Sequence, residues 1–279
     1  MPSVLVTGAA RGIGRATTVR LAAAGWDVIA GVRRAEDGEA LVQAQPQRIT
    51  PVTLDVTNED QLVALDAVLP ATLDAVVNNA GVVVGGPIEA VPLAELRRQL
   101  EVNVVGQAAV TQAVLPRLRE SRGRLVFVSS LSGRVATPMF GPYNASKFAL
   151  EGMADALRME LAPWGIRVVL VEPAQTDTDL WRRADGDLDD TVASLSSRHR
   201  DLYAKHIEGF RKSIPRSQRA AAPVEGVAAA IEKALTARRP RARYVVGASA
   251  RAQAVLAHVT PTAILDVLLR AGTGVPRRP

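Results

Sequence analysis

Short apolar runs rich in β-branched residues alternate along this chain with longer segments whose hydrophobic positions recur at the helical period. SVLVT, WDVIAGV and ITPVTL are each followed by such a segment, at 12–24, 36–44 and 58–68. LDAVVN precedes a long helical stretch at 93–119, and RLVFVSS precedes another at 143–162. IRVVLVEP leads into an irregular segment and then a helix at 223–237, and RYVVG closes the series. A strand with one wet face alternates apolar and polar residues. These strands are apolar throughout, so both of their faces are covered. The pattern predicts an α/β fold, a doubly wound Rossmann-like domain with a seven-stranded parallel sheet and helices on both faces. No repeat or linker divides the chain, so one domain over 1–279 is expected.

Two regions depart from this beat. Residues 179–222 are long and charged and follow the carboxyl end of a strand, where ligands collect in open α/β sheets, so they are expected to form a substrate lid. The stretch 249–279 is amphipathic but interrupted by His258 and Pro261, which makes it a helical extension rather than a membrane span.

Composition narrows the chemistry. With 48% hydrophobic residues in 279, a large core is available. There is no cysteine, which excludes disulfides, thiolate metal sites and cysteine nucleophiles and suits a reducing cytoplasm. The opening MPSVLVTGAARGIG is broken by glycine too soon for a signal peptide, so a cytoplasmic protein is expected. The excess of 34 Lys and Arg over 28 Asp and Glu gives a charge of +6, which points to an anionic partner. No basic run is interleaved with aromatics, so nucleic acid is not expected. His199, His206 and His258 lack ligand spacing, and Asp185, Asp187 and Asp189 lack the glycine and glutamate of a calcium loop, so no metal is expected.

The first strand ends in Thr7-Gly8-Ala9-Ala10-Arg11-Gly12-Ile13-Gly14 and runs directly into a helix. Glycines let a backbone approach a pyrophosphate, and a helix N-terminus offers unpaired N–H groups and the positive end of a dipole. Gly8, Arg11, Gly12, Ile13 and Gly14 are therefore candidate nucleotide contacts. Sites for NAD usually place an acid after the second strand, but here that stretch reads Gly31-Val32-Arg33-Arg34. An acid would repel a ribose 2′-phosphate and a guanidinium forks onto it, so NADP(H) is expected over NAD(H), with Arg33 as clamp and Arg11 beside it.

Tyr143 and Lys147, one helical turn apart, would alone indicate only a surface contact. Their company changes that. With Thr7-Gly8…Gly12…Gly14, Asp55 in LDVT, Asn78-Asn79-Ala80-Gly81, Asn103 in EVNVVG, Ser130 in FVSS and Pro173 to Thr178, the chain resembles the short-chain dehydrogenase/reductase family over residues 3–178. It departs from the family at Ala174, where a glycine usually follows the proline.

The resemblance implies that Asp55 and Val56 lie near the adenine and that Asn79, Ala80 and Gly81 flank the cofactor. Pro173, Thr176 and Thr178 would touch its nicotinamide side. Ser130, Tyr143 and Lys147 are expected to converge at the carboxyl edge of the sheet. There Lys147 would favour the Tyr143 phenolate, a neighbouring charge being worth about 1–3 pKa units. Tyr143 would then act as general acid/base, Ser130 would hold the substrate oxygen, Lys147 would also hold the nicotinamide ribose, and Asn103 would hold a relay water. Ser130, Ser132, Phe140, Tyr143 and Trp181 are the candidate substrate contacts. The segments SLSGRVATPMFGPY and RARYVVG also resemble the branch of the family that acts on steroids and retinoids. The expected reaction is NADP(H)-dependent interconversion of a hydrophobic secondary alcohol and a ketone or aldehyde. Its rivals are a non-catalytic NADP(H) sensor and a sugar-nucleotide epimerase or dehydratase. Family resemblance further implies a homodimer or homotetramer paired through the helices at 93–119 and 143–162.

Overall fold

The computed structural model describes residues 1–178 and 182–276. Strands β1 (Ser3–Thr7), β2 (Asp27–Val32), β3 (Ile49–Thr53), β4 (Ala75–Asn78), β5 (Arg124–Val128), β6 (Arg167–Pro173) and β7 (Arg243–Val246) form one sheet. Its order is β3-β2-β1-β4-β5-β6-β7, with every neighbouring pair parallel.

The two-residue period of a strand explains the apolar runs. Val4, Val6, Val77, Val126, Val169 and Val171 point into one layer, against α1 (Gly12–Ala23) and α9 (Val224–Thr236). Leu5, Val76, Leu125, Phe127 and Leu170 point into the other, against α3 (Glu59–Val68), α5 (Gly106–Ser121) and α6 (Gly141–Glu160). At the centre of the sheet neither face is wet, so an inward position of β1, β4 or β5 cannot be polar without an internal partner. At the edges the expectation of strands covered on both faces fails, since Thr50, Pro51 and Thr53 of β3 are exposed and β7 is half-buried throughout. The chain leaves β1 for β2 on one side and reaches β4 on the other. That reversal opens a crevice at the carboxyl ends of β1 and β4, where ligands bind in folds of this kind.

The expected helix at 93–119 is one run broken by a wider turn. Helix α4 (Leu93–Leu100) passes through a π-turn at Glu101–Val105 into α5, the Gly106 N–H donating to the Glu101 carbonyl. Helix α2 (Ala35–Ala44) follows β2 as expected.

The region 179–222, read as irregular, contains two helices, α7 (Ala184–Ser194) and α8 (Ser197–Ala220). The Ser196 side chain caps α8 by accepting from His199 N at 3.2 Å. A narrow stripe, Ile207, Phe210 and Ile214, buries that helix against Leu188, Leu195 and Met139. Beyond β7 the chain forms α10 (Ala248–Val259) and α11 (Thr262–Thr273), broken at Thr260 and Pro261 as the proline suggested.

Gly274, just past α11, lies backbone to backbone against Gly209 in α8, so closely that a Cβ on either would collide with the other's main chain. Gly209→Ala is therefore expected to lower the thermal midpoint by an overpacking cost of about 1–3 kcal/mol, visible in a calorimetric scan. An unchanged midpoint would mean that α11 does not rest on α8.

Candidate active site

The glycine turn after β1 is built for close approach. Gly8 and Gly12 have φ of +65° and +54°, a region costly for other residues. A Cβ on Gly14 would drive into the Gly8 carbonyl oxygen and the Asn79 amide. Helix α1 begins here with no acid in its first turn, leaving its positive end uncompensated. Asn79, expected as a cofactor contact, is first of all a strut: its Nδ2 donates to Thr7 O at 3.0 Å and Gly8 O at 3.1 Å. The Thr7 hydroxyl accepts from the Asn79 and Ala80 N–H groups, both at 3.0 Å. These bonds occupy the Ala80 N–H and tie the ends of β1 and β4 together. The cradle suits a pyrophosphate, and Ile13 and Thr178 bound it, the Thr178 methyl standing 3.3 Å from where a Gly12 Cβ would be.

Arg34 is spent on Asp37, which it grips with two bonds of 3.0 and 2.9 Å. That hydrogen bond, with the charges of Arg34, Arg11 and Arg33, holds the Asp37 carboxyl below its ordinary range. Arg33 and Arg11 thus flank the same exposed spot at the end of β2, and neither makes a side-chain hydrogen bond or ion pair among the described residues. Asp55 accepts from Thr57 N and Oγ1 at 3.0 and 2.7 Å. Val56, side chain and carbonyl alike, is buried against Gly106.

Ser130 follows β5, and its hydroxyl accepts from Ser132 N at 3.1 Å. Tyr143 and Lys147 lie on the first turns of α6 and share a cavity of roughly 450 Å³ with Ser130, Ser132, Phe140 and Asn103. Pro173, Thr176 and Thr178 bound the same cavity. Ala174 needs no glycine, because Arg122 and Met139 are the only non-glycine residues of positive φ among those described. Trp181 and Leu180 lie outside the described residues.

The balance of forces on Tyr143 differs from expectation. Desolvation pushes its phenol up, the neighbouring Ser130 hydroxyl pulls it down, and Lys147 is not among the groups that move it. Lys147 is itself buried, and desolvation brings it down to about 8 against the opposing pull of Glu151. Its Nζ donates to Val128 O at 2.8 Å and lies 5.8 Å from the Tyr143 ring centre. Spacing on the helix was read correctly and desolvation was not, since a buried ammonium acts on its neighbour only as far as it keeps its own proton.

Asn103 sits in the π-turn with its side chain fully engaged. Oδ1 accepts from Val82 N at 2.8 Å, and Nδ2 donates to Val82 O at 3.0 Å and to Ser146 Oγ at 3.1 Å. Ser146 in turn donates to Tyr143 O at 2.7 Å. Gln99, which sequence reasoning missed, does the same one turn earlier by accepting from Val84 N at 2.6 Å and donating to Val82 O at 2.9 Å. Together they fix the strand of chain beyond Gly81 against the Tyr143 turn. A polar residue one turn before Asn103 was the available signal. Also unforeseen are Leu268, Leu269 and Thr273 of α11, which wall the cavity from the C-terminal side.

Comparison with known proteins agrees with this geometry. Residues 2–189 match the family described as short chain dehydrogenase. The chain is 33% identical over 277 residues to an NADPH-dependent 3-dehydrocapnine reductase of Ornithobacterium rhinotracheale, covering 95% of each. It is 32% identical to mouse retinol dehydrogenase 5, covering 95% of this chain and 87% of that one. A short-chain dehydrogenase from Streptomyces avermitilis superposes with a TM-score of 0.78 at 30% identity over 99% of this chain and 98% of that one. A short-chain dehydrogenase from Burkholderia cenocepacia, in complex with NADP, gives 0.75 at 27% identity over the same shares. The matched span, the shared length and the superposition agree, and the chain belongs to the short-chain dehydrogenase family of oxidoreductases.

Proposed function

We propose that this chain is an NADP(H)-dependent oxidoreductase that interconverts a hydrophobic secondary alcohol and a ketone or aldehyde. The observation that carries the reading is a half-buried phenol that shares one cavity with Ser130, one turn from a buried lysine and beside the glycine cradle. Gly8, Gly12, Gly14 and Thr178 would hold the dinucleotide, which when bound would supply the hydride. Ser130 holds the carbonyl oxygen. Tyr143, kept protonated by burial, delivers its proton as charge develops on that oxygen. The phenolate left behind is stabilised by the Ser130 hydroxyl, and the Lys147 ammonium would hold the nicotinamide ribose. Asn103 and Gln99 keep the Tyr143 turn in place.

The reading is tested by following reduced-cofactor absorbance with a panel of ketones, aldehydes and sugar nucleotides. Consumption with an apolar ketone is the expected result, and none with any carbonyl compound would overturn it.

Arg33 and Arg11 support the choice of NADP(H), as do the NADPH-dependent relative and the NADP-bound neighbour. Arg33→Ala is expected to weaken NADPH binding about tenfold or more and leave NADH binding unchanged, because only the former carries the 2′-phosphate. Equal effects on both, in a fluorescence titration, would remove Arg33 from that role.

The pH profile has a definite sign. Lys147 is a cation below about 8 and neutral above it, so reduction should decline as pH rises through that value. The Glu151 carboxylate favours the ammonium, so Glu151→Gln should move this limb to lower pH. A limb that stays in place would show that Lys147 is not the group titrating.

A further inference from the structure

A second cavity, of roughly 380 Å³, lies beneath α7 and α8 on the far side of Phe140 from the catalytic tyrosine. Val83, Phe140 and Phe210 line both cavities, so these side chains are the partition between them. Phe140 meets Tyr143 edge-on at 6.5 Å between ring centres and Phe210 at 5.3 Å. The backbone of this partition is fixed. Gly86 N donates to Met139 O at 2.7 Å, and Met139 is held at φ 67°, in the left-handed region. Only the aromatic side chains are left to yield.

The two cavities differ in character. The outer one is walled by Val84, Met139 and Leu188 with the shared residues, and its polar groups, Asp187 and Asp190 among them, stand at the exposed rim. The inner one receives Ser213, Arg216 and Ser217 from the same helix that brings Phe210. At 1.5 Å per residue, α8 therefore runs from apolar to polar over about 10 Å. The inner cavity also has to admit the nicotinamide end of the dinucleotide between Ile13 and Thr178, which leaves little of it for a bulky substrate.

We propose that the outer chamber holds the apolar arm of the substrate, so that the substrate class is a ketone with a long alkyl arm on one side of the carbonyl and a small polar group on the other. This rests on the inner cavity being the site of carbonyl reduction. The arm passes between Phe140 and Phe210, and the polar group stays within reach of Ser213 and Arg216.

The test uses the full-length protein, NADPH and linear methyl ketones of increasing length. The wild type is expected to gain roughly fourfold in kcat/KM per added methylene until the chamber is full. Ala184, half-buried on the first turn of α7, lines the chamber. Ala184→Trp should cut the ratio of kcat/KM for the longest ketones over the shortest by about tenfold or more. Leu188→Phe is the second variant should Ala184→Trp fold poorly, with the same expected direction. A wild-type profile that is flat with length overturns the proposal while leaving carbonyl reduction intact, as does a variant that slows all lengths equally. Bound NADPH with no ketone consumed at any length overturns both the proposal and the function it rests on.

Discussion

Tyr143→Phe is expected to lower turnover about 10²–10⁴-fold while NADPH still binds with nearly its wild-type affinity. The substitution removes one oxygen and keeps the ring. The edge-on contact with Phe140 at 6.5 Å survives, as does the bond from the Ser146 hydroxyl to the Tyr143 carbonyl at 2.7 Å. What is lost is the proton that burial keeps on the phenol and the partner of the Ser130 hydroxyl. Turnover and fluorescence titration together separate a chemical role from a structural one. Activity retained within a factor of a few would take Tyr143 out of the chemistry, and NADPH binding lost along with turnover would make its role architectural.

Gly14→Ala should weaken cofactor binding at the opposite end of the crevice. Its new methyl would meet the Gly8 carbonyl oxygen and the Asn79 Nδ2, and neither can retreat, because Asn79 is itself tied to the Thr7 and Gly8 carbonyls. The turn must deform, at an overpacking cost of about 1–3 kcal/mol, and the deformed part is the cradle. NADPH affinity should therefore fall by more than about tenfold, beyond what the loss of stability alone would give. Gly152→Ala is the contrast. A Cβ there meets nothing within 4 Å on α6, so it should raise the thermal midpoint slightly, alanine being the better helix former. If the two variants behaved alike, the close approach at Gly14 would not matter.

How much of this was legible in the sequence follows from how each part is stabilised. Strands such as Ser3–Thr7 and Arg167–Pro173 are buried on both faces, so their residues carry the signal without interruption. The glycine turn was legible because backbone conformation and close approach leave few residue choices at Gly8, Gly12 and Gly14. The helices that cover the outer chamber were not. In α8 three buried residues, Ile207, Phe210 and Ile214, are set in a charged sequence that also contains Pro215, and the stripe is too sparse to stand out. The convergence of Ser130, Tyr143 and Lys147 was readable from strand ends and helix spacing. The direction of the Tyr143 shift was not, because burial depends on chain segments far away in sequence, among them Leu268 and Thr273. Asn103 shows the same limit: its partners Val82 and Ser146 belong to two other elements.

The most direct check on the central claim, that desolvation keeps the proton on the Tyr143 phenol beside Ser130 for delivery, is an ultraviolet titration of tyrosinate in wild type minus Tyr143→Phe. The difference isolates Tyr143 from Tyr203 and Tyr244. The account predicts a midpoint above the ordinary phenol value of about 10 in the cofactor-free protein, moving downward when the positively charged oxidised nicotinamide binds. A midpoint below the ordinary value in the free protein, or one that does not move on binding, would contradict it.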